Sequence, residues 1–268
     1  MTLYQPLSAH IAGIGVLGPG LADWAAARAV LAGAPWTPAA TPMPAPESLP
    51  PAERRRVGNV VRLALAVGMQ AASAGGADAA TLATVFASSG GDGANCHAIC
   101  EALASGDRLI SPTRFHNSVN NAASGYWGIA TGAQAASTIV SAYDGSFAAG
   151  LVEALSQLRA SAAPVLLIAY DLPYPEPLAA ARPQGAAFAT ALLLTPDSHG
   201  AQALPRLALA GFTCCACDSL PDPALDALRR DVPAARALPL LARMARGEAG
   251  TSVLEYLDGL ALAVDVTP

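Results

Sequence analysis

The residues Ser137-Thr138-Ile139-Val140-Ser141-Ala142-Tyr143-Asp144-Gly145-Ser146-Phe147-Ala148-Ala149-Gly150 come nearest to displaying a reactive group. A β-rich run enters a helix of small residues through one tight turn, and a turn of this kind projects a single side chain. Here that side chain is Asp144, at the positive end of the helix macrodipole, with Gly145 beside it to allow a close approach. A carboxylate in this position can cap the helix or, given a partner acid or base, activate water. Capping is the commonest use of Asp at a helix start, and no catalytic partner is adjacent in sequence, so the cap is favoured.

Other groups with chemistry are sparse. The five cysteines are Cys96, Cys100, Cys214, Cys215 and Cys217. An odd count in a long chain argues against a secreted disulfide framework. No histidine or second cysteine pair stands at zinc spacing from Cys214-Cys215-Ala216-Cys217, so no metal is expected. That cluster reads as small buried hydrophobes on a strand, and Cys96 and Cys100, four apart on one helix face, as small hydrophobes buried within the chain or against a partner. His97, at helical spacing from Cys100 and Glu101, reads as an interface residue. His116, Asn117, Asn120 and Asn121 could hold an amide-bearing arm, but a loop tied down by its own side chains is the simpler expectation. Gly13-Ile14-Gly15-Val16-Leu17-Gly18 fits the dinucleotide fingerprint in letters only. Its glycines fall inside an apolar strand, Pro19-Gly20 follows where a helix should open, and no ribose-binding acid lies downstream. Gly90-Gly91-Asp92-Gly93 lacks the Lys-Ser/Thr of a phosphate loop and reads as a tight turn into a helix. No cofactor is expected.

The elements that must position these groups alternate. Strands are expected at His10–Leu17, Thr84–Ala87, Ser137–Ala142, Val165–Tyr170, Ala187–Leu194 and Leu207–Phe212, with a last one within Leu254–Val266. Helices are expected at Leu21–Leu31 with Asp23 near its start, Ala52–Ala74, Ala94–Ala104, Ala122–Thr131, Gly145–Arg159 and Pro223–Arg246, broken near Pro233. Pro112–Asn121 reads as an irregular polar loop. Residues 35–51 hold seven prolines in seventeen and form a surface loop rather than a boundary, because periodic segments resume at once. The pattern predicts one α/β domain over residues 1–268, with a mostly parallel central sheet covered by helices.

Of the 268 residues 53% are hydrophobic and 13% charged, which excludes a disordered chain. All fifteen basic residues are arginine, the net charge is −5, and Arg54-Arg55-Arg56 is a single turn rather than a stripe, so nucleic acid is not an expected partner. Low charge with high apolar content suggests surface buried against a partner protein. No basic leader precedes the first apolar run, and no uninterrupted apolar stretch is long enough to span a membrane. A cytoplasmic location is expected.

With these segments in order, the chain resembles the β-ketoacyl synthases, the condensing enzymes of fatty acid and polyketide synthesis. Ile11–Gly20 looks like the synthase first strand and turn, and Arg54-Arg55-Arg56 with Arg62–Ala66 like its Arg-bearing helix. Ser88–Gly93 is similar to the Gly-rich turn before the dimer-interface helix. Ser111–Phe115 and Asn121–Gly125 resemble the loop and helix before the nucleophile elbow, which 137–150 itself resembles. Ala187–Leu194 with His199-Gly200-Ala201 is like the end of the N-terminal half. The resemblance implies a thiolase-like fold. It also carries two departures. The elbow residue is Asp144 where the family has an acyl-carrying Cys, and a carboxylate cannot form that thioester. The second half, with its two catalytic histidines, is expected to be missing, since none of His10, His97, His116 and His199 has a matching context.

The resemblance therefore implies a degenerate subunit with no independent activity, similar to the chain-length factors of aryl polyene and related pathways. Its expected partner is a full-length β-ketoacyl synthase in a heterodimer, with an acyl carrier protein as a further candidate. Asn95, Cys96, Ile99, Cys100, His116, Asn121, Tyr143 and Phe147 are the implied candidates for the acyl tunnel and interface. Two alternatives stay open: a thioester hydrolase in which Asp144 activates water, and an acyl- or carrier-protein-binding module.

Overall fold

The computed structural model describes residues 7–196 and 205–268, so His199-Gly200-Ala201 lies outside the described residues. The chain runs β1 (Ser8–Leu17), α1 (Trp24–Leu31), α2 (Pro51–Arg54), α3 (Asn59–Ala74), β2 (Ala83–Ala87), α4 (Gly93–Ala104), α5 (Pro112–His116) and α6 (Ala122–Thr131). It continues through β3 (Ser137–Val140), α7 (Ser146–Ser161), β4 (Val165–Asp171), α8 (Leu178–Ala181), β5 (Phe188–Thr195) and β6 (Arg206–Thr213). It ends with α9 (Pro223–Asp231), α10 (Leu238–Arg246), β7 (Gly250–Leu257) and β8 (Leu260–Thr267).

One sheet of eight strands forms the centre, in the order β3-β2-β4-β5-β1-β6-β8-β7. Parallel pairing is confined to β3-β2-β4, and the other five junctions are antiparallel. The reason lies in the connections. A parallel neighbour needs a long covering crossover, and here β2 to β3 runs through α4–α6 and β3 to β4 through α7.

Strand alternation splits the core in two. Val85, Leu167, Ala169 and Leu192 face α7, α10 and the 3-10 turn Pro233–Ala237. Phe86, Leu166, Ile168 and Leu193 face α3 and α6 on the other side. The glycines of the fingerprint-like motif serve this packing. A β-carbon on Gly13 or Gly15 would run into the α3 carbonyls of Ala71 or Val67, so the motif's glycines bring a helix close to a strand.

Several expected elements differ. The helix over Ala52–Ala74 is two pieces, because Gly58 is extended and starts α3 afresh. The polar loop at Pro112–Asn121 contains α5, started by Pro112. The tail is a hairpin rather than one strand, turned at Asp258-Gly259 with Gly259 at φ 70°. Cys214 and Cys215 are exposed and Cys217 partly so, in an irregular segment after β6 rather than on a buried strand. Cys96 and Cys100 are also exposed. Among the described residues no helix is long and apolar enough to cross a membrane.

Candidate functional site

The elbow forms as a sharp turn with its own internal bonds. β3 ends at Val140, Tyr143–Gly145 makes a 3-10 turn, and α7 begins at Ser146. Tyr143 has φ 52°, the left-handed backbone that reverses the chain without a glycine. The Ser146 hydroxyl holds the turn, accepting from the Ala142 N–H at 3.0 Å and donating to the Tyr143 carbonyl at 2.7 Å. Gly145 is required because the Tyr256 carbonyl of β7 stands where a β-carbon would go.

Asp144 does not cap α7. The cap residue is Gly145, with no side-chain bond to the helix. Two guanidinium groups compete for the carboxylate and win: Arg182 Nη2 lies 2.8 Å from one oxygen and Arg236 Nη2 3.1 Å from the other. Arg182 also stacks 3.5 Å over the Tyr143 ring. Arg236 reaches on to Glu255, which Arg229 also meets at 3.1 Å, and Arg229 bonds Asp226 at 2.7 Å. The result is an alternating chain of six charged groups from the elbow to α9. Burial pulls the Arg236 guanidinium below its ordinary range, and the Asp144 carboxylate pulls it back up.

Asp144, Arg229, Arg236 and Glu255 line a cleft of about 850 Å³ walled by Cys214–Cys217 and by residues 255–261. No histidine lines it among the described residues. His97 pairs with Glu101 at 3.2 Å, and His116 packs edge-on to Tyr126. A carboxylate with both oxygens held by cations and no neighbouring base is poorly placed to take a proton from water.

The implied tunnel residues fall in separate places. Cys96, Ile99 and Cys100 line a chamber of about 450 Å³ with Leu103, Phe115 and Val119. Burial, and then the adjacent Cys100 thiol, push the Cys96 thiol up. Asn95 turns away from that chamber and donates to the Arg114 carbonyl at 2.8 Å. His116 and Asn121 are exposed. Tyr143 is on the Asp144 cleft instead. Phe147 is no wall residue. It sits in the core on the inward face of α7.

Sequence reasoning missed Arg182, Arg236, Glu255 and Asp171. Asp171 ends a strand that is otherwise apolar and is buried. It accepts from the Ser89 N–H at 2.8 Å, the Ser89 hydroxyl at 2.7 Å, the Ser88 hydroxyl at 3.2 Å and the Ala234 N–H at 2.9 Å. Burial pushes its carboxyl up to about 6 against those bonds. An acid closing the run Val-Leu-Leu-Ile-Ala-Tyr was the available signal.

Residues 24–219 match the family model for the β-ketoacyl synthase N-terminal domain. The chain belongs to that family. Its fold is the thiolase-like ketosynthase fold, shared over nearly the whole length with several solved structures. A ketosynthase (ApeO) in complex with its chain length factor (ApeC) from Xenorhabdus doucetiae is 25% identical, with TM-score 0.70, covering 96% of this chain and 99% of that one. A type II polyketide synthase acyl-carrier protein in complex with its ketosynthase bound to the hexaketide is 13% identical, with TM-score 0.74 and coverages of 98% and 99%. The ishigamide ketosynthase/chain length factor is 15% identical, with TM-score 0.67 and coverages of 97% and 98%. No curated protein matches the sequence. The family match ends at 219, so Arg229, Arg236 and Glu255 reach the elbow from outside it.

Proposed function

We propose that this chain is a non-catalytic ketosynthase-like subunit that pairs with a full-length β-ketoacyl synthase in the cytoplasm and shapes its acyl tunnel. In this reading it is the chain length factor of a fatty acid or polyketide pathway of aryl polyene type, and the acyl carrier protein visits the pair. The whole chain, 1–268, acts as one unit. The observation that carries the reading is Asp144: the elbow presents a carboxylate held by Arg182 and Arg236 where the family chemistry needs a free thiolate. Two further features support it. β3 is an edge strand paired only with β2, rich in Thr, Ile and Val, and such an edge calls for a mate. The chamber beside α4 is apolar and partly open, as a surface meant for cover would be. The hydrolase alternative needs a free carboxylate, which the two guanidinium groups oppose.

The test is reconstitution. The purified chain, wild type or Asp144→Cys, should neither condense nor decarboxylate malonyl thioesters, because a nucleophile without its partners is one part of a unit. Co-expression with a full-length β-ketoacyl synthase should give one co-eluting species, and Cys96→Phe or Ile99→Trp should shorten the product while pairing persists. Multiple turnover by the single chain, or a monomer indifferent to the synthase, would overturn the reading.

A further inference from the structure

Three guanidinium groups line a second cleft, away from Asp144. Arg55, Arg56 and Arg114 wall a cavity of about 940 Å³ together with Asn59, Asn95 and Asn117. Arg56 shares Glu53 at 3.2 Å, whereas the guanidinium groups of Arg55 and Arg114 have no ion pair or hydrogen bond among the described residues. On a chain with net charge −5 this is a local surplus of positive charge.

This cleft adjoins the apolar chamber. Gly58, Val60, Asp92 and Asn117 line both cavities. The divide is thin, since Gly58 has no side chain and the Asp92 carboxylate lies 2.8 Å from where its β-carbon would stand. The other Asp92 oxygen accepts from the Asn95 N–H at 2.9 Å at the start of α4, where the helix dipole offsets its charge. Beyond the divide the wall turns apolar, with Ile99, Leu103, Phe115 and Val119.

We propose that the two cavities form one binding site for a chain molecule with an apolar tail and an anionic end. The tail lies in the chamber against Ile99 and Phe115. The carboxylate or phosphate at its end meets Arg55 and Arg114, forming charge-assisted hydrogen bonds that neither arginine makes within the chain. The chamber alone would accept any hydrocarbon and the arginines any anion, so the junction is what demands both in one molecule. A free long-chain acid and a long-chain phosphate monoester share this chemistry. The inference rests on the reading above only for the use of the chamber by an acyl chain.

Calorimetric titration of the full chain, without a synthase, tests it with four probes: dodecanoate, dodecyl phosphate, 1-dodecanol and inorganic phosphate. The better anionic amphiphile should bind about tenfold tighter than dodecanol, the gain of one or two charge-assisted bonds at an open site. Inorganic phosphate should bind more weakly than either amphiphile. Arg55→Gln with Arg114→Gln, both at exposed positions, should bring the anionic probe down to the affinity of dodecanol and leave dodecanol unchanged. Tighter dodecyl phosphate identifies the phosphate monoester, and tighter dodecanoate the free acid. The proposal is overturned if dodecanol matches both anionic probes, if the double variant keeps their advantage, or if no amphiphile binds. A failed titration leaves pairing with a synthase untouched, and failed pairing leaves the titration readable.

Discussion

The Asp144 cleft and the chamber beside α4 are built from opposite materials. Around Asp144 the carboxylates of Asp144, Glu255 and Asp226 each meet a guanidinium, so charge is matched within the cleft even though Arg182 Nη1 and Arg236 Nε make no hydrogen bond. Around α4 the side chains are left wanting: Phe115 is 67% exposed, Leu103 and Val119 about half exposed, and Arg55 and Arg114 unpaired. On the proposed reading the elbow serves as a structural joint, while the α4 face keeps its unsatisfied surface. Asp171 connects the two. It holds Ser88 and Ser89, in the turn that leads to α4, and Ala234, two residues before Arg236.

The largest effect should come from cutting the joint. Arg236→Ala leaves Asp144 with Arg182 alone and Glu255 with Arg229 alone, and removing the largely buried guanidinium that joins them costs about 3 kcal/mol. The low end of the range applies because Asp144 is 42% exposed. Urea unfolding measures it, and a loss under about 1 kcal/mol would mean the network is ornamental.

Next is the connector. The folded Asp171 carboxyl titrates near 6, above its ordinary 3.8, so the folded state holds a proton that the unfolded state has released. Its contribution is present in full below about pH 4 and is lost as pH rises through about 6, on the order of 2–3 kcal/mol. Asp171→Asn should lack this term, so the stability difference between wild type and variant should shift in favour of the wild type on acidification. Parallel curves for the two proteins between pH 4 and 7 would reject the assignment.

The chamber face should respond the other way. Phe115→Asp removes no core contact and should change the chain's own stability by no more than about 0.5 kcal/mol. Pairing with the synthase should weaken by about 2 kcal/mol if Phe115 is an anchor of the interface. Unchanged co-elution would place the interface elsewhere. The smallest effect is expected at the elbow itself. Asp144→Asn keeps one acceptor oxygen for Arg182 or Arg236 and should cost below about 1 kcal/mol, with pairing intact. Loss of pairing in that variant would erase the contrast between the two regions.

Local pattern carried much of this molecule into view. The β2 and β4 strands, α6, and the strand-turn-helix around Asp144 follow from apolar runs bounded by turns, because each is set by residues near in sequence. The family order was legible for the same reason. The antiparallel half of the sheet was not, since pairing direction depends on how the 172–187 connection returns over the surface. The fate of Asp144 was hidden for a related cause. Its partners lie 38 and 92 positions away, on Arg182 and Arg236, and nothing local to Asp144 announces them. Phe147 read as a tunnel residue because it adjoins the elbow, but helical phase turns it into the core.

The contact between Gly145 and the Tyr256 carbonyl has a consequence for dissecting the protein. A backbone oxygen fills the space of a missing side chain, so the final hairpin is wedged against the elbow as a keystone is against its arch. The family-model match stops at 219, ahead of that hairpin, whereas the solved ketosynthase structures match nearly the whole chain. A fragment cut there would leave β6 without β8 beside it and Asp144 without Arg236. The hairpin therefore belongs to the fold that nearly the whole chain shares with the ketosynthase structures, and a chain truncated at 219 should lose the cooperative unfolding of the full protein.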